Sequence, residues 1–320
     1  MKRTLTIILV IFLVSCSPMD ISTPSVKLIF TETATLTSPT ITNTFSPTAT
    51  QKPTETPTPD VNLESFVFPY DVSQVMVAWD DLRVPAKDRY FTYHLVNRTN
   101  REIPYSDPCS YHPGETIIPL GTTKPLENFT IDVKLPYSGK LIDKWVTDGK
   151  DDGFTFFIGN NEGKKVYLNV YHTTKSNISV GQIFKQGEYF GSLTYTKNYG
   201  GWNETKVHLT LFNPAPNGST DFLGSNITPL DITSYALPPT MKAMSENHIK
   251  LLIIYEGENW CNMKSSQKIS TILEKFLPNA GFCVDKAKVS YCGKNELFQG
   301  IAFTQATYDE RSVMLTPVNK

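Results

Sequence analysis

A mostly β fold with a small α+β region at its C-terminal end is what this sequence predicts, and three observations carry that expectation. Glycines at 181, 187 and 191 punctuate short β-prone runs, a spacing that fits tight turns between strands too short to be helices. Val207, Leu209 and Leu211 alternate with Lys206, His208 and Thr210, as in a strand with one buried face. Helical spacing is clearest near the end, at Ile269, Ile272, Leu273, Phe276 and Leu277, with Ser265 or Ser266 to cap it and Pro278 to stop it.

The N-terminus is organised differently. Lys2 and Arg3 precede an apolar run from Leu5 to Val14, which closes on Leu13-Val14-Ser15-Cys16. A basic start, a short apolar stretch and a small residue before the cut are the parts of a secretory signal, too short for an ordinary membrane-spanning helix. Leu-Val-Ser-Cys resembles a bacterial lipoprotein box, which implies that residues 1–16 are the signal and that Cys16 is the acylated first residue of the mature chain. Residues 17–60 are rich in Thr, Pro and Ser and cannot bury enough apolar surface to offset the entropy of ordering them. They predict a tether with an end-to-end distance on the order of 40 Å.

Residues 61–320 are long enough to bury a sizeable core. Aromatic β-prone runs at Phe66-Val67-Phe68, at 75–79 and at 91–96 support a β domain over 61–244. The apolar run 251–255, the helix and a further strand-like run make 245–320 a small α+β region. Thirty basic residues face thirty-one acidic ones, so no field gathers nucleic acid, and no basic cluster interleaves with aromatics. Four cysteines follow Cys16, and an even number in an exported chain points to disulfides. Cys283 and Cys292 flank a short run and would close a local loop, leaving Cys109 for Cys261; the other pairings stay open.

Two stretches together resemble the lysostaphin-like zinc metallopeptidases, the peptidoglycan endopeptidases built on a duplicated hybrid motif. The run Val180-Gly181-Gln182-Ile183-Phe184-Lys185-Gln186-Gly187-Glu188-Tyr189-Phe190-Gly191 is similar to that family's glycine-punctuated hairpins. Thr205-Lys206-Val207-His208-Leu209-Thr210-Leu211 is similar to its Thr-His-Val-His-Leu-Glu-Leu strand, and Tyr171-His172 falls at its Tyr-x-His position. The resemblance spans about residues 136–212. It implies a β-roll or sandwich and a peptidoglycan or wall-peptide partner, while the lipoprotein-box resemblance implies a membrane association through the lipid anchor.

The resemblance also implies a zinc site, here incomplete, with the metal held weakly or lost. His208 falls on a ligand position. Upstream, Tyr111-His112-Pro113-Gly114-Glu115-Thr116 resembles the family's His-x-Gly-x-Asp segment with one residue deleted, making His112 a ligand and placing Thr116 where the acid belongs. Glu115 would have to turn in to replace it, since a neutral hydroxyl is a poor zinc ligand. A second register keeps Asp132 but puts Asn128 in place of the histidine. His172 falls where it would orient water or stabilise an oxyanion. Lys206 replaces a catalytic histidine, and a protonated lysine is no general base unless burial lowers its pKa.

The resemblance therefore implies a degenerate member that binds wall peptide or regulates a hydrolase, the alternative being an active zinc endopeptidase. A third reading is a wall- or sugar-binding module, with Trp145, Tyr199 and Trp202 stacking on sugar rings or simply filling a core. A biotinyl or lipoyl carrier would need a lysine at a hairpin tip and a pump adaptor a long helical hairpin, and neither occurs in the hybrid-motif region. His94 and His248 lie outside these windows and read as ordinary core or surface histidines.

Overall fold

The computed structural model describes residues 58, 60–70, 90–99, 101, 109–118, 130–147, 151–173, 177–194, 206–221, 223–224 and 226–318. Cys16, most of the tether, the run at 75–79, Asn128, Tyr199 and Trp202 lie outside the described residues. Residues Thr56–Lys320 form one compact unit.

The fold is mostly β. Among the described residues the strands are β1 (Tyr90–Val96), β2 (Glu115–Ile118), β3 (Thr130–Lys134), β4 (Gly139–Thr147), β5 (Asp151–Asn161), β6 (Lys164–Thr173), β7 (Ile183–Phe184), β8 (Tyr189–Thr194), β9 (Val207–Asn213) and β10 (Thr228–Pro229). They continue with β11 (Lys250–Glu256), β12 (Phe282–Asp285), β13 (Lys288–Tyr291), β14 (Ala302–Asp309) and β15 (Ser312–Pro317). Thirteen of these join in one sheet, in the order β12-β13-β14-β15-β11-β1-β2-β9-β6-β5-β4-β7 with β10 beside β9, and β3 and β8 make a second, small sheet.

One hydrophobic cluster joins the two sheets. Val207, Leu209 and Leu211 from β9 meet Val166, Leu168 and Val170 from β6, Ile131 and Val133 from β3, and Phe190 and Leu193 from β8. Burying each such side chain is worth about 1.5–3 kcal/mol, and the period-two apolar pattern assigns the whole set to one face. Gly181 and Gly187 sit in turns with φ of +95° and +75°, where a side chain would be strained. Gly191 lies instead inside β8, opposite Val133. Phe66 and Phe68 are buried in the core, but their segment is extended chain after a short 3-10 turn at Leu63–Ser65 and adds no strand.

The C-terminal region is stitched into the same sheet, because β11 runs parallel to β1 with Leu251 opposite Phe91 and Glu256 opposite Val96. Helix α1 (Thr233–Glu246) precedes it and contains Pro238 and Pro239. Local chemistry argues against a helix there. Burial wins, with Ala236, Leu237, Met241 and Met244 all fully enclosed. Helix α2 begins at Ser265–Thr271, passes through a π-turn at Ile272–Phe276 and ends at Leu277–Asn279. Its cap is neither serine: the Gln267 side chain accepts from the Lys264 backbone N–H at 2.8 Å, and Pro278 lies in the last turn. Cys283 is bonded to Cys292 and Cys109 to Cys261. No helix among the described residues is long and apolar enough to cross a membrane.

Candidate functional site

The site grows from β9. Alternation sends Val207, Leu209 and Leu211 into the core and turns His208 and Thr210 to the opposite face, yet His208 and Thr210 are also fully buried. Residues 112–114 cross over them and supply the cover. Gly114 makes the crossing possible, with φ +104° and so little room that a Cβ would run into the Leu209 carbonyl and come within 2.9 Å of His208 Nε2.

The crossing segment fixes the tautomer of His208. Nε2 stands 2.7 Å from the Pro113 carbonyl oxygen, which can only accept, so Nε2 carries the proton. Nδ1 then presents a lone pair, and the Thr116 hydroxyl donates to it at 3.0 Å. Thr210 donates to the same Pro113 carbonyl at 2.9 Å. Strand register makes this inevitable, because Thr116 is the β2 residue directly opposite His208.

His112 stacks on His208, with ring centroids 4.6 Å apart and planes 24° from parallel. Its backbone is bridged to that of Arg98, and the Arg98 guanidinium donates to His112 Nδ1 at 2.7 Å. His172 arrives by an irregularity. Strict alternation would put Tyr171 and His172 on opposite faces of β6, but the β5–β6 register shifts between Asp152 and Phe154, so that Tyr171 and His172 form a bulge opposite Gly153. His172 has φ +66°, a left-handed conformation uncommon outside glycine, and its ring lies 4.1 Å from that of Tyr171. The bulge thereby keeps both rings on the His208 side of the sheet. Lys206, half-buried, heads β9 on the same side.

The electrostatics are cationic around neutral imidazoles. Burial first, then the neighbouring His208, Arg98, His172 and Lys206, hold His112 well below the usual histidine range. Burial pushes His208 down to about 3; the bond to Pro113 opposes this, and His172, Lys206 and Arg98 add to it. On the far side of Arg98, His94 Nε2 stands 3.3 Å from Glu256 Oε2. Burial alone would raise the Glu256 carboxyl, but the hydrogen bond and charge of His94, with Arg98 and Arg311, bring it below its usual value. β11 thus delivers a carboxylate to this network.

The donor set does not fit a catalytic zinc ion, which needs three protein ligands and an open position. His112 and His208 converge, and His208 even donates its other ring N–H to a backbone carbonyl, as metal-ligating histidines do. The third position holds Thr116, whose hydroxyl occupies the His208 lone pair. Glu115 does not turn in: it pairs with Leu209 rather than His208, so it points to the other face, where its carboxylate accepts from Val96 N–H at 3.0 Å. Burial, then the nearby Asp231, raises its carboxyl well above the usual range. Asp132 lies in the small sheet and accepts from Ser192 at 3.2 Å. Among the described residues no group of three or more His, Cys, Asp and Glu stands together as a metal site.

Of the residues singled out from sequence, the fold brings together His112, His172, Lys206 and His208 and leaves Glu115 on the opposite face. Sequence reasoning missed Arg98, Glu256 and the role of His94. The period-two recurrence of His94, Val96 and Arg98 was a usable signal for the first strand; nothing local points to Glu256.

No protein-family model and no curated protein matches this chain. Among solved structures, the catalytic domain of the antimicrobial peptidase lysostaphin from Staphylococcus simulans aligns with 16% identity over 52% of this chain and 98% of its own, at a TM-score of 0.31. Whole lysostaphin aligns with 13% identity over 80% of this chain and 94% of its own, at 0.33. The catalytic domain of the prophage-encoded M23 protein EnpA from Enterococcus faecalis aligns with 16% identity over 46% and 91%, at 0.29. At these identities and scores the likenesses establish neither family membership nor activity.

Proposed function

We propose that this chain is a membrane-anchored lipoprotein of the cell envelope whose β domain, a degenerate relative of the lysostaphin-like peptidases, binds wall peptide without cutting it or regulates a true hydrolase. One observation carries the non-catalytic half of the reading: the Thr116 hydroxyl sits on the Nδ1 lone pair of His208, where a metal would need it. Arg98 and Lys206 add positive charge that disfavours a divalent cation and favours the carboxylate-bearing end of a peptide. The anchoring half rests on Lys2, Arg3, the apolar run and Cys16, with residues 17–60 giving the domain reach.

The test is co-sedimentation of the exported chain with insoluble cell wall, alongside its zinc content and detergent-phase partitioning of a Cys16→Ala control. Wall binding without bound zinc or peptide release supports the wall-binding form of the reading; failure to sediment overturns that form and leaves regulation of a hydrolase. The convergence of His112, His172 and His208 favours a second reading, an active zinc endopeptidase. Peptide release from wall with added zinc, abolished by His208→Ala, would establish that reading instead.

A further inference from the structure

We propose that the sheet face carrying His208 also carries a saccharide-binding subsite centred on Trp145, which stacks on one pyranose ring of a wall polysaccharide. It deepens the wall-binding reading by naming a second part of the ligand, and it stands on different residues.

A register shift in β4 between Leu141 and Asp143 places Asp143 opposite Thr155 and Trp145 opposite Gly153. Gly153 falls in the β5–β6 irregularity beside Tyr171, and Tyr171 pairs with His208. Trp145 is therefore three strands from His208 on one face, about 14 Å at ordinary strand spacing. Gly153 does not have a positive φ, so its backbone does not demand glycine. The indole does: a Cβ there would overlap Trp145 Cζ2 and Cε2. The ring lies over the strand where a side chain has been given up, and it meets Tyr171 in a tilted pair, 5.8 Å between centroids and 34° between planes.

Beside this half-buried indole opens a groove of about 590 Å³, lined also by Asp143, Thr155, Ser219, Thr220 and Leu223. That volume suits a small ligand. The far wall is a turn held by its own bonds. Ala215 N–H donates to the Ser219 carbonyl at 2.9 Å, and Leu223 and Gly224 N–H donate to Asp221 Oδ1 at 3.1 and 3.0 Å. A rigid wall spends little entropy on binding.

A pyranose has an apolar C–H face, which a flat indole covers, and a rim of hydroxyls, which need acceptors and donors around that ring. The exposed Asp143 carboxylate supplies the acceptor, and the half-buried hydroxyls of Ser219 and Thr220 supply both, while the buried Thr155 hydroxyl is already bonded to Asn169. Among the described residues no basic side chain lines the groove, which argues against phosphate-bearing ligands.

The probe is a β-1,4-linked N-acetylglucosamine tetramer, titrated calorimetrically into the exported chain. Binding is expected, weakened at least about tenfold (about 1.4 kcal/mol) by Trp145→Ala and by Asp143→Ala. Asp143 is exposed, so its variant keeps the test decisive even if the tryptophan variant unfolds. No binding of the tetramer, or binding that both variants retain, overturns the subsite. A stem-peptide fragment titrated in parallel separates the two proposals. Peptide binding without tetramer binding removes the subsite and keeps the wall-peptide reading, whereas the reverse keeps the subsite and removes that reading.

Discussion

Thr116 Oγ1 donates to His208 Nδ1 across 3.0 Å, and directly paired positions on β2 and β9 hold the two residues there. The hydroxyl satisfies a lone pair that would otherwise be buried, and it contributes no charge. Thr116→Asp is therefore expected to create the missing ligand between His112 and His208. After dialysis against trace zinc the variant should retain about one equivalent of metal and the parent chain almost none. Almost no zinc in either would mean that Arg98 and Lys206, rather than the missing acid, exclude the metal.

The depressed imidazole of His208 makes stability depend on pH in a defined direction. In the fold its pKa is about 3, against about 6.5 when the chain is unfolded. Above the unfolded value the imidazole is neutral in both states and its contribution is fully present. Below it the unfolded chain takes up a proton that the fold refuses, and stability is lost as pH falls toward the folded value. Between pH 6.5 and 4.5 the loss from His208 alone is about 2 kcal/mol, and His112 adds to it. Urea midpoints should fall over that window, and His208→Gln should flatten the fall.

Glu115 tilts the opposite way. Its folded pKa is raised, chiefly by burial, so its stabilising share is complete below the unfolded value near 4.5 and declines as pH rises. Glu115→Gln keeps an acceptor for Val96 N–H and removes the ionisation, so its urea midpoint should exceed that of the parent at pH 8 and match it at pH 5. Glu115→Ala should cost about 1–3 kcal/mol at both, because a buried donor loses its partner. A loss of wall binding in the glutamine variant would return Glu115 to the site.

These residues also mark what the sequence could reveal. The two faces of β9 were legible because Val207, Leu209 and Leu211 alternate with polar residues, and period two leaves a single assignment. Alternation also hides things. It makes Glu115 and Thr116 look equally available, and only the pairing of β2 with β9 decides which one faces His208. His172 is the reverse case, because a bulge and a left-handed backbone carry it to a face that alternation denies it. Arg98 and Glu256 meet because β1 and β11 pair in parallel over a long stretch of sequence, information that no local window contains. Helix α1 was illegible for another reason, since Pro238 and Pro239 oppose it locally and only its buried face stabilises it.

The bond between Cys109 and Cys261 ties the chain three residues before His112 to the turn Trp260–Asn262, closing a separation of 152 residues, whereas Cys283 and Cys292 close one of 9. In the chain-entropy account the longer loop contributes about 5 kcal/mol and the shorter about 2.5 kcal/mol. The paired variant Cys109→Ser with Cys261→Ser should therefore lower the urea midpoint more than Cys283→Ser with Cys292→Ser. It should also loosen residues 112–114, because the bond anchors the chain just before the segment that covers His208. Hydrogen exchange at Arg98 and His112, whose backbones bridge each other, reads that directly. Faster exchange there in the first pair and not in the second is the expected result, and equal protection in both would show that Gly114 packing against β9 is sufficient to keep His208 covered.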